Sequence, residues 1–226
     1  MKSELVITQD GSSSVYIPEF DEHYHSVYGA LRESRHVFIN AGLNEKINRE
    51  DKISILEIGF GTGLNALLTG MEAELNQQLI YYTAVEKYPL ADSISSQLNF
   101  CTLMDDKKCI QLFNNIHSCE WESSTAICPN FYLTKYKMNI EDIFFRNQFD
   151  IIYFDAFSPD AQPELWTQDI FESMFNALKP HGILVTYCAK GIVKRTMKNA
   201  GFLVETLQGP YGKREMTRGT KDSNKG

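Results

Sequence analysis

The stretch ISILEIGFGTGLN, residues 53–65, decides the fold. Its first half is an apolar run of Ile53, Ile55, Leu56 and Ile58, rich in β-branched residues and closed by turn residues. That pattern predicts a buried strand. In the second half Gly59, Gly61 and Gly63 alternate with Phe60 and Thr62, and Leu64, Ala66, Leu67 and Leu68 then favour a helix. A glycine-rich bend from strand to helix exposes backbone that a Cβ would cover and aims the N–H groups of the helix start at a ligand. The spacing G-x-G-x-G departs from the dinucleotide fingerprint G-x-G-x-x-G. No lysine follows the last glycine, which excludes a phosphate P-loop.

With Glu57 two positions ahead of Gly59, the pattern E-x-G-x-G-x-G resembles the first motif of Rossmann-like S-adenosylmethionine-dependent methyltransferases. That resemblance implies cofactor contacts from Glu57, Gly59, Phe60, Gly61, Thr62 and Gly63.

Working outward, strands and helices alternate. Residues 64–75 read as a helix, and 79–86 as a second strand ending in Glu86, with Lys87 beside it. An acid about twenty residues past the last glycine can accept hydrogen bonds from ribose hydroxyls. Residues 131–138 alternate like a third strand. Glu141 or Asp142 just after it could accept from an adenine amino group, and Asp142 is preferred. Residues 149–154 form a fourth strand closed by Asp155, which is aimed at the crevice where open α/β sheets bind ligands. A helix over 167–178, a stop at 179–182, a fifth strand over 183–187 and a basic helix over 190–199 follow. A hairpin of 202–207 and 215–218 around the turn 209–212 closes the chain. Upstream, strands at 5–7 and 15–17 precede a helical stretch over 21–41 that can fold over the ligand as a lid. Residues 89–130 show helical pieces at 90–100 and 109–117 and no evident chemistry. The expected architecture is α/β: a mostly parallel, seven-stranded sheet with a C-terminal antiparallel hairpin. The expected division is an N-terminal hairpin and lid-like extension over 1–50, a core over 51–218 and a disordered tail over 219–226.

Composition bounds the function. The chain has 226 residues, 43% hydrophobic and 23% charged, which suits one globular domain with a sizeable core. No apolar run is long enough for a membrane span and the N-terminus lacks a signal peptide, so a cytoplasmic protein is expected. Five cysteines without a C-x-x-C pair predict reduced thiols and no zinc site, and His23 and His25 lack partners at ligand spacing. The net charge is −7, yet residues 190–226 hold nine basic side chains against three acidic ones. That basic end suits a phosphate-facing surface, or simply a solvated helix face.

A more specific resemblance rests on GFGTGLN (59–65), EKYPL (86–90), DAFSP (155–159) with PELW (163–166), and GKREMTRG (212–219). Residues 14–38, with DEHYHS and ESRHVF, add to it. Together these resemble the methyltransferase domain of the tRNA wobble-uridine enzyme family MnmC, over residues 10–219. The resemblance implies S-adenosylmethionine as cofactor and the anticodon region of tRNA as partner. The implied reaction is methylation of 5-aminomethyl-(2-thio)uridine to 5-methylaminomethyl-(2-thio)uridine. It also implies a stand-alone form served by a separate oxidase or by upstream wobble-uridine enzymes. Asp155 would accept the amine proton or hold the cofactor's amino group, and Phe157 would stack on the flipped-out uracil. Lys190, Lys194, Arg195, Lys213 and Arg214 would meet tRNA phosphates. Two rival functions fit the same pattern. One is an aminopropyltransferase of the spermidine synthase type; the other is a non-catalytic cofactor-binding scaffold for a tRNA-modifying oxidase.

Overall fold

The chain opens with a small antiparallel sheet of β1 (Glu4–Ile7), β2 (Ser13–Ile17) and β3 (Glu22–His23). A short helix α1 (Ala30–Ser34) runs directly into a π-helical turn, Arg35–Asn40. The computed structural model describes residues 3–222.

The core then alternates: β4 (Lys52–Ile58), α2 (Leu64–Asn76), β5 (Leu79–Glu86), the short helices α3 (Asp92–Ser95) and α4 (Phe100–Met104), α5 (Lys107–Ser118), β6 (Thr125–Cys128) and β7 (Phe131–Lys137). It continues through β8 (Phe149–Phe154), α6 (Gln168–Ala177), β9 (Leu178–Thr186), α7 (Gly191–Asn199), β10 (Leu203–Gln208) and β11 (Glu215–Thr220). The main sheet has the order β10-β11-β9-β8-β4-β5-β7-β6. β9, β8, β4, β5 and β7 run parallel; β6 and β11 run against them, and β10 pairs antiparallel with β11 at the edge.

The chain leaves β4 for one side of the sheet and returns at β8 on the other. The crevice at that reversal, outside the strands' carboxyl ends, is where such sheets bind ligands. Two backbone hydrogen bonds lock its floor. Gly59 N–H donates to Val85 O at 3.0 Å, and Asp155 N–H donates to Ile58 O at 2.9 Å. One face of the sheet packs on α2, α5 and the π-helical turn through Leu67, Ile116, Phe131 and Phe38. The other packs on α6 and α7 through Phe171, Met174, Val193 and Met197. Strands β4 and β8 are buried on both faces, which is why they read as continuous apolar runs.

Several expectations need correction. The sheet has eight strands, because β6 pairs with β7 at the edge. The helix expected over 21–41 forms only from Ala30. Before it, Tyr24 N–H donates to Val15 O at 2.8 Å and extends the small sheet, and Gly29 turns the chain at φ 145°. No loop separates α6 from β9. Residues expected as a stop, including Pro180, lie inside β9, where a register shift against β8 accommodates them. β11 continues through Gly219 and Thr220, two residues into the expected tail, and residues 223–226 of that tail lie outside the described residues. Cys101 of α4 and Cys109 of α5 form a disulfide, contrary to the expectation of five free thiols. Their Cα atoms stand 5.3 Å apart because the two short helices abut, which no cysteine spacing announces. Among the described residues, no helix is long and apolar enough to cross a membrane.

Candidate active site

A cavity of about 560 Å³ occupies the crevice. Its floor is the glycine turn between β4 and α2, where Gly59, Gly61 and Gly63 all take positive φ. One wall is the end of β5 with Glu86 and Lys87, another is the segment 155–158 after β8, and the N-terminal segment covers the top.

Asp155 lines the cavity at the end of β8. Its Oδ2 accepts from Asn65 Nδ2 at 2.8 Å, and the same amide nitrogen donates to Glu57 Oε1 at 3.0 Å. One side chain thus ties two carboxyls from adjacent strands. Tyr82 adjoins Glu57, yet its hydroxyl and Glu57 Oε2 have no partner in hydrogen-bonding geometry. Burial, then repulsion from Asp155, pushes the Glu57 carboxyl well above the usual range. Burial, then the negative charge of Glu33, pushes Asp155 up to about 7, against the opposing pull of the Asn65 bond and of Lys213. Glu57 is therefore the neutral member of the pair, and Asp155 the one poised to exchange a proton near neutrality.

Glu86 is fixed by backbone. Its Oε2 accepts from Gly61 N–H at 3.1 Å and its Oε1 from Tyr88 N–H at 2.8 Å. Each oxygen keeps acceptor capacity on the cavity side. Thr62 is held from two directions. Its hydroxyl pairs with His25 Nε2 at 2.7 Å, and its carbonyl accepts from His117 Nε2–H at 3.1 Å. Burial holds both histidines down to about 4, so both are neutral at physiological pH. Phe60 packs between His117 and Trp121.

The N-terminal segment closes over this floor. Tyr24 meets Phe157 edge-on at 5.1 Å between ring centroids, Phe20 lies 5.8 Å from the same ring, and Ser158 hydrogen-bonds Glu22. Lys213, from the β10–β11 turn, reaches the cavity. Its Nζ donates to Glu33 Oε1 at 2.6 Å and sits 4.1 Å from the centre of the Tyr187 ring. The other Glu33 oxygen accepts from Ser26 N–H.

The expected site residues divide accordingly. Gly59, Phe60, Gly61, Thr62, Glu86, Lys87, Asp155 and Phe157 line one cavity. Gly63 underlies it, packed against Phe60 and His117. Glu57 does not line the cavity; it lies fully buried behind Asn65 and acts on Asp155 through that amide. Asp142 faces solvent and accepts from Asn139 Nδ2, because the 3-10 turn Ile140–Asp142 directs its neighbour Glu141 into the cavity instead. Of the expected phosphate contacts, Lys190 pairs with Asp160 and Lys194 with Glu215, and Lys213 points inward. Arg195 and Arg214 are exposed, with no ion pair among the described residues. Sequence reasoning missed Asn65, His25, His117, Glu33 and Tyr24. Only Asn65 left a trace, as an amide at the start of a helix whose other first-turn positions are apolar.

Beneath the turn, Lys135 is 1% exposed. Its Nζ donates to the carbonyls of Ile116 and His117 at the end of α5, 5.0 Å from the centre of the Trp121 ring. Lys135→Met strips those terminal carbonyls of their donor and is expected to cost about 2–3 kcal/mol. A urea midpoint equal to that of the parent protein would contradict this role.

Comparison with known proteins agrees with the geometry. A family model described as an S-adenosyl-L-methionine-dependent methyltransferase matches residues 113–222. The tRNA 5-methylaminomethyl-2-thiouridine biosynthesis bifunctional protein MnmC of Burkholderia thailandensis is 29% identical over 240 residues, covering 95% of this chain and 34% of that protein. Its counterpart from Cupriavidus metallidurans is 27% identical over 228 residues, covering 95% and 33%. The chain thus spans about a third of the length of these relatives. The crystal structure of MnmC2 from Aquifex aeolicus shares the fold with a TM-score of 0.82 at 24% identity, over 98% of this chain and 70% of that one. Spermidine synthase from Thermotoga maritima shares it more distantly, with a TM-score of 0.54 at 12% identity, over 98% and 72%. The chain is thus similar along nearly its whole length to MnmC proteins, over residues 113–222 to an S-adenosyl-L-methionine-dependent methyltransferase family, and in fold to MnmC2.

Proposed function

We propose that the chain methylates the amine of 5-aminomethyl-(2-thio)uridine at the tRNA wobble position, giving 5-methylaminomethyl-(2-thio)uridine, with S-adenosylmethionine as methyl donor. The observation that carries this reading is Asp155, a carboxyl half-protonated near neutrality in the cavity wall, hydrogen-bonded to Asn65 just after the glycine turn. A base with a pKa close to working pH suits proton transfer from an amine.

The residues present fit the cofactor. The glycine turn offers bare backbone, Glu86 offers spare acceptor capacity to a ribose diol, and Glu141 stands on the side where a purine would lie. When bound, the cofactor supplies a methyl group on a sulfonium, a cation that acidic walls favour. Gly61, Thr62 and Glu86 would hold it, with Lys87 at the rim.

The chain's own residues do the rest. Asp155 accepts the proton that leaves the substrate nitrogen as the N–C bond forms and the S–C bond breaks. Asn65 holds the acceptor oxygen in place. Phe157, between Phe20 and Tyr24, offers a ring surface to the extracted uracil. A carboxylate alone would stabilise the unreactive ammonium form of the substrate. Because Asp155 itself holds a proton about half the time near pH 7, that tendency is weaker here than for an ordinary carboxylate. The reading requires an aminomethyl group already made on the uridine by an upstream activity, for which a separate oxidase is the proposed partner.

Incubation with labelled S-adenosylmethionine and tRNA bearing 5-aminomethyluridine is expected to place label in the 5-methylaminomethyl nucleoside after digestion. No label in that nucleoside, or labelling abolished by putrescine, would refute the proposal.

A further inference from the structure

We propose that the cavity mouth formed by Val27, Tyr28, Arg32, Tyr88, Tyr211 and Arg214 is the surface that docks the unpaired nucleotides flanking the target base, in place of the basic helix α7. This rests on the tRNA reading above and assigns its contact surface.

Three observations converge. First, the rim is aromatic and open: Val27 is 47% exposed, Tyr88 49% and Tyr211 67%. Single exposed apolar residues are ordinary on protein surfaces, but these share one rim. Val27, Tyr28 and Tyr88 line the cavity itself, so the rim is continuous with the site.

Second, the rim is built. Tyr28 and Tyr211 meet edge-on at 6.1 Å, and the Arg32 guanidinium lies 5.7 Å from the centre of the Tyr211 ring. The β10–β11 turn sits directly on Tyr28. Gly212 has φ +85°, and a Cβ there would fall 2.3 Å from the Tyr28 ring. The turn that delivers Lys213 inward therefore presents Tyr211 and Arg214 outward, one residue on either side of the Gly212–Lys213 pair. Reading and positioning groups share one short loop.

Third, two of the four cations on and just before α7 are already paired. On α7 and at its start, Lys194 is paired with Glu215 and Lys190 with Asp160. Cations already paired release few counterions on meeting phosphate. Arg214 carries no such partner among the described residues, as is also true of Arg195 on α7, but Arg214 sits in the same short turn as Tyr211.

The chemistry that fits an aromatic rim with interleaved guanidinium groups is a single-stranded nucleic acid. Its bases stack on rings and its phosphates meet Arg. Extraction of one base from a loop exposes the faces of its neighbours, and Tyr211 lies where such a face would rest.

The test compares Tyr211→Ala, Tyr211→Phe and a Lys190→Gln/Lys194→Gln double variant, each checked for an unchanged melting temperature. Binding of an unmodified anticodon stem–loop RNA is measured by fluorescence anisotropy, and methylation of aminomethylated tRNA by steady-state kinetics. Tyr211→Ala is expected to raise both the Kd for the stem–loop and the KM for tRNA about tenfold. The KM for S-adenosylmethionine should stay the same, Tyr211→Phe should behave like the parent, and the double lysine variant should change either constant less than threefold. Tyr211→Ala binding RNA within twofold of the parent would overturn the proposal, as would a larger loss in the lysine variant. If the parent binds the stem–loop through Tyr211 but methylates no tRNA, the docking surface stands and the proposed reaction fails.

Discussion

Asp155→Asn is expected to lower kcat/KM for tRNA methylation about a hundred- to ten-thousand-fold while leaving cofactor affinity within a few-fold of the parent. The substitution keeps the shape and the neighbourhood of Asn65 but removes an oxygen of the carboxyl proposed to take the proton. The pH dependence follows from the environment of the carboxyl. Burial and Glu33 hold Asp155 up at about 7, so the competent, deprotonated form is lost as pH falls through that value. The kcat/KM profile of the parent should therefore rise with pH and show a limb near 7. A bound sulfonium brings a positive charge beside Asp155 and favours its ionised form, so the corresponding limb in kcat lies at lower pH. The substrate amine adds its own limb at higher pH, and only that one should survive in the variant. If Asp155 instead serves mainly to hold the cofactor's amino group, the loss will appear in cofactor affinity measured by calorimetry. Stability gives an independent reading with the opposite preference. Asp155 binds its proton more tightly in the folded chain than in the unfolded one, whose carboxyl titrates near 3.8. Between those values the native state holds the extra proton, so this residue's contribution to stability falls as pH rises toward and through about 7. Asp155→Asn should accordingly melt higher than the parent at about pH 8 and nearly together with it at about pH 4. A variant that is fully active, or less stable at alkaline pH, would remove Asp155 from its assigned role.

The legible and illegible parts of this chain differ in the range of the interactions that made them. β4, β5 and β8 were readable because strands in the middle of a parallel sheet bury both faces and carry the information in their own composition. The acids that close β5 and β8 were readable because the sheet's topology fixes where strand ends meet. Residues 21–29 were not, because what holds them is distant: Val15 O for the Tyr24 amide, Thr62 for His25, Phe157 for Tyr24. A local apolar spacing suggested a helix that these contacts override. His117 lay in a stretch with no apparent chemistry, and its task exists only because α5 ends beside the Thr62 carbonyl. Lys213 was counted as one of several basic residues at the C-terminal end. The tight turn at Gly212 rotates it into the cavity while its neighbours stay outside, which charge counting does not resolve. Of Glu141 and Asp142 it is Glu141 that lines the cavity, a distinction that adjacent acids in a 3-10 turn do not reveal in the sequence.

Gly61→Ala should weaken S-adenosylmethionine binding at least about tenfold with a modest loss of stability, whereas Gly59→Ala should damage the fold itself, by about 2–4 kcal/mol. Both residues occupy positive φ, +50° at Gly61 and +87° at Gly59, so each variant carries backbone strain. What the new methyl group strikes separates them. At Gly61 it would fall 2.7 Å from the Tyr24 ring, a side chain that can move away from the turn at the cost of its contact with Phe157. That movement would also disturb the Gly61 N–H that holds Glu86, so the proposed ribose acceptor and the proposed uracil platform would be disturbed together. At Gly59 the methyl group would fall 2.5 Å from the Asp155 carbonyl oxygen, and two backbones cannot part without opening the end of β4 from the end of β8. Gly61→Ala combined with Tyr24→Ala should lose less stability than the two single variants summed, because the clash is gone although the backbone strain at φ +50° remains. Gly59→Ala has no such partner to delete. Calorimetric affinities and melting curves decide the matter: parental affinity in Gly61→Ala, or a Gly59→Ala variant no less stable than Gly61→Ala, would contradict this division. The contrast ties the glycine turn to the chemistry, since bare backbone at Gly59 lets the cradle for the cofactor and the strand end carrying Asp155 approach within hydrogen-bonding reach of one amide, Asn65.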